Sequence, residues 1–510
     1  MLRIILDKKK KWKMLKKGGF RFYFKGNIEN IESFAARFSY IKYKEKFSYF
    51  LKQQNFDFSI IIESRRFVIA AVDKIKSHSI FYSKKFNIIS NSPGFLDTIK
   101  AKRLSEKNLI EFQMAGFIQH NQTFYEDIFQ LEAGSFLESK KKDLIYKSYY
   151  SYLNRTRTSE NFKNYKLQLS KVLNKIFSKI LQIADGRQIC VPLSGGLDSR
   201  LVLSKIKELG YENIFVFSYG VKNNHDAMTA KKMCEKLNIP WHFEINSTTN
   251  SRNFFKSSLR QCYFQFANQI SVVPSYLDFE AIYNLKKKKK IESNAIIING
   301  QTGDFISGGH LPKDNCNITH TILSKHFGLW KSLIFENEEL VKDRINQHFN
   351  LKRKKKYEMY EFWEWKERQS KFVVNGQQVY DFFELNWFLP FWSKSYLDFW
   401  SKVPYNLKKN QKLYIQFLRE YNYGGLFDQI RFEQVTWPYH KNLILFLARS
   451  FGLLFGERSK KKIYELLFYY STYHYQFAYM GLKNYLNHRK DARSIVSLFT
   501  RQIIDELVSK

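Results

Sequence analysis

The sequence predicts an α/β protein, in which a parallel sheet with helices on both faces follows a strand-rich unit and precedes a helical region. Three observations support this fold class. Short apolar runs separated by turn residues fill about the first 150 residues, and strand-like and helix-like segments then alternate up to about residue 300. From about residue 320, long amphipathic and aromatic-rich segments dominate. Because alternating strands and helices are typical of parallel sheets, we predict three domains, at residues 1–155, 156–320 and 321–510.

The composition indicates a folded protein of several domains and excludes a disordered chain. Of the 510 residues, 44% are hydrophobic and 17% are aromatic, whereas disordered chains are poor in aromatic residues. The formal net charge of +37 is strong enough to attract phosphate polymers or an anionic membrane surface. The same richness in Lys, Ile, Asn, Phe and Tyr is what an AT-rich coding sequence imposes on any protein. We therefore do not expect a nucleic-acid partner, whereas contact with a membrane surface stays open.

Cysteine usage and the N-terminal sequence predict a cytoplasmic protein. An export signal places charge before a long apolar core, whereas here the few apolar residues within 2–6 precede the lysines of 8–11. The most apolar stretch, 443–455, is interrupted by Arg449 and is shorter than the ~20 residues of a spanning helix. The cysteines form no CxxC pair, so we expect reduced and mostly buried thiols at Cys190, Cys234, Cys262 and Cys316.

Local patterns place the individual elements of the N-terminal part. Five short apolar runs bounded by turn residues predict strands at residues 58–62, 67–72, 79–82, 87–89 and 134–137. Between residues 162 and 183, apolar side chains recur every three or four positions, as on the buried face of a helix. A domain boundary is therefore expected near residues 150–165.

The next segment carries the alternation that predicts the parallel sheet. We predict its strands at residues 188–193, 213–217, 241–245 and 295–299. Between them, we predict helices at residues 200–209 and 226–237. The lysine run 286–290 is interpreted as a solvated loop, and the last strand leads into a second glycine-containing loop.

The strongest motif is the turn Ser194-Gly195-Gly196-Leu197-Asp198-Ser199, which lies directly between a predicted strand and a predicted helix. In an open α/β sheet, ligands bind beyond the carboxyl ends of the strands. Two glycines allow close approach of an anion, and the helix N-terminus supplies partial positive charge. Because Asp198 would repel phosphate unless a Mg²⁺ ion stood between them, the turn predicts a site for phosphate and Mg²⁺. The alternative is an ordinary Gly-Gly turn in which Asp and Ser cap a helix.

This turn resembles the pyrophosphate loop of the ATP pyrophosphatase (PP-loop) superfamily, and further segments resemble the asparagine synthetase family within it. These segments follow the family's order along the chain, behind a strand-rich domain and before a helical C-terminal part. They are Phe217-Ser218-Tyr219-Gly220, Asn299-Gly300-Gln301-Thr302-Gly303-Asp304 with Gly308-Gly309, and Pro390-Phe391-Trp392 followed by Val403-Pro404.

The resemblance implies which residues bind ATP and Mg²⁺ and which assist the reaction. Asp198 and Asp304 are expected to hold Mg²⁺ and, with Lys412, to act in catalysis, while Tyr219 is expected beside the adenine. The residues expected to bind ATP are Leu193, Ser194, Gly195, Gly196, Leu197, Ser199, Tyr219, Asn299 and Gly300. The histidines have no metal-ligand spacing, and we expect core or surface positions for His225, His242 and His310.

Several residues depart from the family's pattern. The family's complete enzymes use a cysteine after Met1 to hydrolyse glutamine, whereas the second residue here is Leu2. The first domain therefore resembles a degenerate glutaminase, and glutamine hydrolysis is not expected. Gln301 and Phe305 replace acidic residues of the second loop, which removes a potential base for the incoming amine. Further replacements, which argue against free aspartate as the substrate, are Asn386, Phe388 and Ser393.

The resemblance implies an ATP-dependent amide ligase. A carboxylate attacks the α phosphate of ATP, pyrophosphate leaves, and ammonia or an amine from solution, a separate glutaminase or a peptide traps the adenylate. A branch with a similar GxTGD loop is associated with bacterial surface-polysaccharide clusters, which suggests a uronic acid as acceptor. Two alternatives stay open: a non-catalytic ATP-binding scaffold, and a PP-loop enzyme that modifies transfer RNA. The latter enzymes carry the loop near their N-terminus, unlike this chain.

Overall fold

A computed structural model describes most of the chain, from the N-terminal strands to the C-terminal helix. The described residues are 2–38, 43–99, 102–140, 143–153, 161–220, 222, 224–246, 248–313, 316–349, 355–429, 441–460, 463, 483, 487–488 and 491–509. Within them, a strand-rich N-terminal unit is followed by a parallel sheet and a helical C-terminal region.

The N-terminal unit contains two sheets. Its strands are β1 Arg3–Ile5, β2 Lys13–Lys17, β3 Phe20–Gly26, β4 Phe58–Glu63, β5 Phe67–Val72, β6 Phe81–Ser83, β7 Ile88–Ser90, β8 Phe129–Gln130, β9 Ser135–Lys140 and β10 Asp143–Ser148. One sheet has the order β10-β9-β5-β4-β3-β2 and is antiparallel throughout. The other has the order β1-β7-β6-β8, with β1 parallel to β7. The unit's helices are α1 Ile31–Arg37, α2 Tyr43–Gln53 and α3 Glu106–Ala115.

Alternation along β4 explains why this unit is layered. Successive strand residues point to opposite faces of a sheet. Ile60 and Ile62 therefore pack with residues of α1 and α2, such as Ala35 and Leu51, in one apolar cluster. Ile61 joins Leu2 and residues of the smaller sheet in a second cluster. The unit is thus a helical layer on two stacked sheets, and both faces of β4 are buried.

The second sheet system is the predicted parallel sheet, with five strands in the order β13-β12-β11-β14-β15. Its strands are β11 Ile189–Pro192, β12 Ile214–Gly220, β13 Trp241–Ile245, β14 Ile296–Ile298 and β15 Asn386–Phe388, and all neighbours are parallel. The helices of this part are α4 Phe162–Ala184, α5 Leu197–Glu208, α6 His225–Lys236, α7 Thr248–Phe255, α8 Ser258–Ala267, α9 Phe279–Lys287 and α10 Gly303–Ile306.

The four strands predicted for this sheet are confirmed, with small shifts at their ends. The helix predicted to begin at residue 200 begins at Leu197, because the second half of the motif already forms the first helical turn. The prediction of a loop for 286–290 is wrong in part, since Lys286 and Lys287 form the last turn of α9. Two of the four free cysteines, Cys190 and Cys234, are buried.

The region after residue 320 is helical as predicted, apart from β15. Its helices are α11 Ile318–His326, α12 Lys331–Gln347, α13 Lys356–Trp363, a π-helix Glu364–Val373, α14 Gln378–Phe382, α15 Lys394–Trp400, α16 Tyr405–Lys408, α17 Lys412–Tyr421, α18 Lys441–Phe455 and α19 Ile495–Val508. The predicted boundary at residue 320 stays a prediction, and the sheet takes its fifth strand from beyond it. In the described part of the chain, every helix is too short or too polar to cross a membrane.

The C-terminal region packs against the N-terminal unit. Phe112 of α3 and Phe499 of α19 lie in one buried apolar cluster. A second contact is charged: His78 of the N-terminal unit lies 3.0 Å from Asp57 and 3.6 Å from Asp381, which also pairs with Lys25 at 2.9 Å. These four side chains are largely buried, so the contact holds the two parts of the chain in one defined arrangement.

Candidate active site

The predicted pyrophosphate loop lies at the C-terminal end of β11 and is organised by its own two serines. The Ser194 backbone N–H donates to the Ser199 hydroxyl at 3.2 Å, and the two hydroxyls lie 3.1 Å apart. The Gly196 N–H donates to the Ser194 hydroxyl at 3.1 Å. These bonds fold the loop into a tight turn that ends in the first turn of α5, where unpaired backbone N–H groups favour an anion.

The second loop follows β14 and begins α10. Its Asn299 side chain accepts a hydrogen bond from the Gln301 N–H at 2.9 Å, which closes a turn at the end of the strand. Thr302 adopts a left-handed conformation, with φ of 78°, and its hydroxyl donates to Gln369 of the π-helix. The loop is therefore held from one side by its strand and from the other by the π-helix.

A direct contact joins the two loops. The Asp304 N–H donates to Asp198 Oδ2 at 2.8 Å. A β-carbon at Gly303 would lie 2.5 Å from the Asp198 carboxyl carbon, and one at Gly300 would lie 2.7 Å from the Ser199 nitrogen. Both distances are far below a normal contact, so only glycine allows the loops to approach so closely.

The Asp198 carboxyl group has a raised pKa because of its surroundings. Its Oδ1 accepts a hydrogen bond from the Tyr414 hydroxyl at 2.8 Å. Burial, and then the negative charge of Asp304, raise the pKa of Asp198 to about 7. A positive charge between the two carboxylates would relieve this repulsion, which is what a divalent cation provides.

His310 links Asp304 to a buried acid that the sequence did not indicate. His310 Nε2 lies 3.0 Å from Asp304 Oδ2, and its Nδ1 lies 2.5 Å from Glu364 Oε1. Burial opposes the charged form of His310, but the hydrogen bonds to these two carboxylates outweigh it and raise its pKa to about 10. Among the described residues, the second oxygen of Glu364 is buried without a hydrogen-bond partner. His310 is half-buried, and its bridge between two carboxylates was not anticipated from the sequence.

Tyr219 lies at the end of β12, but its hydroxyl is already engaged. It donates a short hydrogen bond to Asp278, whose other oxygen accepts from Tyr380 at 2.5 Å. Asn299 donates to the same Tyr380 hydroxyl at 3.2 Å. These hydrogen bonds connect the ends of β12 and β14 with the helical region. The hydroxyl of Tyr219 is therefore engaged, and a contact with an adenine would use its ring. Its role beside the adenine stays a prediction.

The loops are also tied to the C-terminal region. The Arg200 guanidinium, directly after the motif, donates to the carbonyls of Gly195 at 2.9 Å and Gly196 at 3.3 Å. It also donates to the carbonyls of Leu426 at 3.1 Å and Gln429 at 2.7 Å. Although burial lowers its pKa to about 10, Arg200 keeps its charge at neutral pH. Arg200 therefore fixes the shape of the glycine loop through the loop's carbonyl groups.

The structure places the remaining predicted residues around the same strand ends. Leu193 is buried at the end of β11, and Leu197 begins α5. Lys412 begins α17, and its side chain is exposed. Its neighbours contact the loops: Gln411 donates to Ser307 at 2.8 Å, and Tyr414 donates to Asp198. A catalytic role of Lys412 stays a prediction.

The residues that depart from the family's pattern occupy different settings. Gln301 accepts a hydrogen bond from Gln377 at 2.7 Å, so it is a structural partner of the helical region. Phe305 is buried in the core and packs near the ring of Trp392. Ser393 caps α15. Phe305 also lies near the His310 ring, with centroids 5.9 Å apart, and His310 connects Asp304 with the buried acid Glu364.

The donor set fits ATP and Mg²⁺. Two carboxylates from two loops offer oxygen atoms, the ligands that Mg²⁺ prefers. A β-carbon at Gly195 would lie 2.6 Å from a carboxylate oxygen of Asp226, so the glycine loop packs closely against the start of α6. Asp198 and Asp304 would hold the ion, and the N-terminus of α5, which begins at Leu197, would face the phosphates.

A second group of potential metal ligands, His120, His348 and Glu367, does not have a suitable geometry. The two imidazole rings stack with centroids 4.1 Å apart and an interplanar angle of 10°, so their in-plane lone pairs run parallel and cannot meet on one ion. Glu367 also accepts from Lys371 Nζ at 2.5 Å. Lys371 thus already supplies the positive charge that an ion would bring.

Several of these residues carry no signal in the sequence. Tyr414, Asp278 and Glu364 reach the site from positions far along the chain, and tyrosines and acids are common in ordinary cores and surfaces. Two others could have been suspected from position: Arg200 directly follows the motif, and His310 follows the glycine pair of the second loop.

Comparisons with known proteins agree with this geometry. Residues 179–424, slightly less than half of the chain, match the family model of asparagine synthase. The chain is also similar to the 7-cyano-7-deazaguanine synthase of Caldicellulosiruptor saccharolyticus, with 45% identity over 51 residues. That stretch covers 10% of this chain and 23% of the relative, so the chain spans less than a quarter of the length of this curated relative. The family match includes both loops, β15 and Tyr414, and it supports an asparagine synthase domain, of an ATP-using ligase family, over residues 179–424.

Proposed function

We propose that the protein is an ATP-dependent amide ligase that adenylates a carboxylate, releases pyrophosphate and transfers ammonia or an amine to the activated carbon. The observation that carries this proposal is the contact between the two loops, where Asp198 accepts the Asp304 N–H at 2.8 Å at the carboxyl edge of the parallel sheet. This contact brings two carboxylates and a glycine loop to one place, as a Mg²⁺-nucleotide requires.

The chain's own residues supply binding and orientation. The loop N–H groups and the N-terminus of α5 bind the phosphates, and Arg200 holds the loop in shape. Tyr414 orients Asp198, and His310 orients Asp304. Bound Mg²⁺ would stabilise the negative charge that develops on the departing pyrophosphate. Lys412, exposed at the start of α17, is proposed to reach the same phosphates.

The nitrogen is proposed to come from ammonia or an amine and not from glutamine hydrolysis by this chain. The first cysteine in the sequence is Cys190, so the strand-rich unit offers no thiol nucleophile. Leu2 fills the apolar core between the two sheets. The unit is proposed to be a degenerate glutaminase, which packs against the helical region through the Asp57, His78 and Asp381 contact.

The acceptor is proposed to be a carboxylate on a small molecule or a sugar, including a uronic acid of a surface polysaccharide. The second loop carries Gln301 and Phe305 where the family has acids, and Phe305 is buried. We propose that Glu364 and His310 take the place of these acids on the acceptor side; burial opposes the charged form of Glu364, but the hydrogen bond to His310 and the charge of His310 outweigh it and lower its pKa. A different set of charges argues for a different acceptor.

The experiment is pyrophosphate release from ATP in Mg²⁺ with a panel of carboxylates: aspartate, free uronic acids and nucleotide-linked uronic acids. Each carboxylate is tested with ammonium and with glutamine as donor. Turnover is expected with one class of carboxylate and with ammonium alone. Asp198→Asn and Asp304→Asn are expected to lose at least about 100-fold in rate. The matched control is Asp343→Asn, an exposed aspartate on α12, which is expected to keep full activity.

The same experiment separates the proposal from its alternatives. A non-catalytic scaffold would bind ATP without turnover for any carboxylate, although the chain keeps both acids of the site. An enzyme that modifies transfer RNA would release pyrophosphate only when transfer RNA is added. Turnover with glutamine as efficient as with ammonium would contradict the proposed loss of glutaminase activity.

A further inference from the structure

The surface of α18 reverses the usual arrangement of a helix on a protein surface. Its outward face is apolar: Phe446 is 66% exposed, Leu454 is 74% exposed and Leu453 is 90% exposed. Ala448, in contrast, is buried. Leu443, Phe446, Leu447 and Leu454 are spaced so that they share one face at 3.6 residues per turn. A solvent-exposed helix normally carries polar residues on this face.

Among the described side chains of α18, one polar side chain lies within the apolar face, and it does not make that face polar. Ser450, which lies within the apolar face, donates its hydroxyl to the Phe446 carbonyl at 3.0 Å and is thus satisfied inside the helix. Phe451 and Phe455 contact each other, with ring centroids 5.4 Å apart, and both are exposed. Contiguous apolar surface of this kind marks an interaction site.

The charge around the helix indicates what binds there. Arg449 is exposed on the helix, and Arg458 is exposed just after it. The sequence continues with Lys460, Lys461 and Lys462, of which Lys460 pairs with Glu457 at 2.8 Å. The whole chain carries a net charge of +37. An apolar helix face that is followed in the sequence by basic residues is the pattern of a helix that lies in the surface of an anionic membrane.

We propose that α18 inserts its apolar face into the surface of an anionic lipid bilayer and thereby holds the protein at a membrane. The helix has 15 residues, which is too short to span the bilayer, so it would lie in the interface plane. A second copy of the chain is a poorer occupant, because each chain carries a net charge of +37 and two such chains repel each other. The basic residues instead meet opposite charge on anionic lipid headgroups.

The test is flotation of the full chain with vesicles of phosphatidylcholine alone and with vesicles that contain phosphatidylcholine and phosphatidylglycerol in equal parts. Binding is expected to the mixed vesicles, and it is expected to weaken as salt is raised. The double variant Phe446→Asp/Leu454→Asp is expected to bind at least about tenfold more weakly, because it places charge in the apolar face that would enter the bilayer. The matched control is Phe335→Asp, at a residue that is 87% exposed on α12.

The outcomes decide between occupants. Absence of binding by the wild-type chain to mixed vesicles, or equal binding by wild type and the double variant, would overturn the proposal. A dimer in sedimentation that the double variant dissolves, without vesicle binding, would assign the face to a second copy instead. Thermal unfolding of each variant shows whether it is folded; if the double variant is not, the lipid and salt dependence of the wild-type chain decides the matter.

Discussion

Two glycines set the distance between the loops at the scale of single residues. Gly300 and Gly303 lie against the backbone of residues 198–199 and the Asp198 carboxyl group, where a β-carbon would come within 2.7 and 2.5 Å of its neighbours. Neither neighbour is the free end of a flexible side chain, since one is backbone and the other is held by Tyr414 and the Asp304 N–H. The loops can therefore meet only if these positions stay glycine.

We predict that Gly303→Ala lowers pyrophosphate release by at least about 100-fold, because it pushes Asp198 and Asp304 apart by a sizeable fraction of an ångström. The rate is measured with the carboxylate that supports turnover, and thermal unfolding is measured beside it. Gly94→Ala is the control, since a β-carbon there would make only an ordinary contact, 3.7 Å from Ser92. Full activity of Gly303→Ala would show that the close approach is not needed.

Tyr414 tests whether the orientation of Asp198 matters. Tyr414→Phe removes the hydrogen bond to Asp198 Oδ1 and is predicted to lower the rate about tenfold, as is usual when the partner of a metal ligand is lost. Tyr421→Phe is the matched control on the same helix, because its hydroxyl bonds to Glu208 at 2.8 Å, away from the loops. An equal effect of both substitutions would mean that the helix, and not the hydroxyl, is what matters.

The residues of the two loops could be predicted because their chemistry is local. The sequence around Asp198 and Asp304 carries its own glycines, serines and strand ends. Tyr414 and Glu364 could not be predicted, because they reach the site only through the packing of distant helices. The bridging position of His310 could not be predicted for a related reason: metal-ligand spacing says nothing about a histidine that bridges two carboxylates.

The glycine loop depends on a partner at the scale of elements. Arg200 donates hydrogen bonds to the carbonyls of Gly195 and Gly196 in the loop and to the carbonyls of Leu426 and Gln429 after α17. The rigid planar guanidinium can serve four carbonyls at once, which an ammonium cannot do. Arg200 thus holds the loop and the segment after α17 in a fixed relative position.

Arg200→Lys is predicted to raise the KM for ATP about tenfold through the loss of charged hydrogen bonds. The kcat should change less, since the hydrogen bonds of Arg200 described above go to carbonyls of the loop and of the segment after α17. Steady-state rates at varied ATP separate the two constants. Arg187→Lys, at an arginine that bonds to the Ala184 and Ile183 carbonyls at the end of α4, should leave both constants unchanged.

The elements of the parallel sheet show what patterns can and cannot predict. The first four strands are predicted because apolar runs alternate with helices. The fifth, Asn386–Phe388, has only three residues and follows a helical region, and it becomes a strand because it pairs with Ile296–Ile298. In the N-terminal unit, Lys13–Lys17 was missed because most of its side chains are exposed and charged. Short or exposed strands are determined by their partners.

At the scale of the whole molecule, one buried ion cluster connects the N-terminal unit with the helical region. Asp381 pairs with both Lys25 and His78. These contacts hold the pKa of Asp381 well below its usual value, although burial opposes the charged form. Asp381→Asn is predicted to lower the free energy of unfolding by about 3 kcal/mol, because two buried cations lose their partner. Glu384→Gln, in an exposed pair with Lys11, should cost less than about 1 kcal/mol.

The same cluster predicts a dependence on pH. Burial opposes the charged form of His78, but hydrogen bonds to Asp381 and Asp57 outweigh it and raise its pKa. A raised folded-state pKa gives stability that is complete below the unfolded value of about 6.5 and is lost as the pH rises through the folded value. His78→Gln should therefore destabilise the protein more near pH 6 than near pH 9. Chemical denaturation at both pH values measures this, and an equal cost at both would contradict a charged His78.

The nucleotide products of the reaction test the central claim most directly. Phosphorus NMR of ATP with Mg²⁺, ammonium and the carboxylate that supports turnover distinguishes the two ways of splitting ATP. The account predicts AMP and pyrophosphate in equal amounts, and neither product with Asp198→Asn. Formation of ADP and phosphate, or AMP formation that continues in the Asp198→Asn variant, would contradict an adenylating site built on the two joined loops.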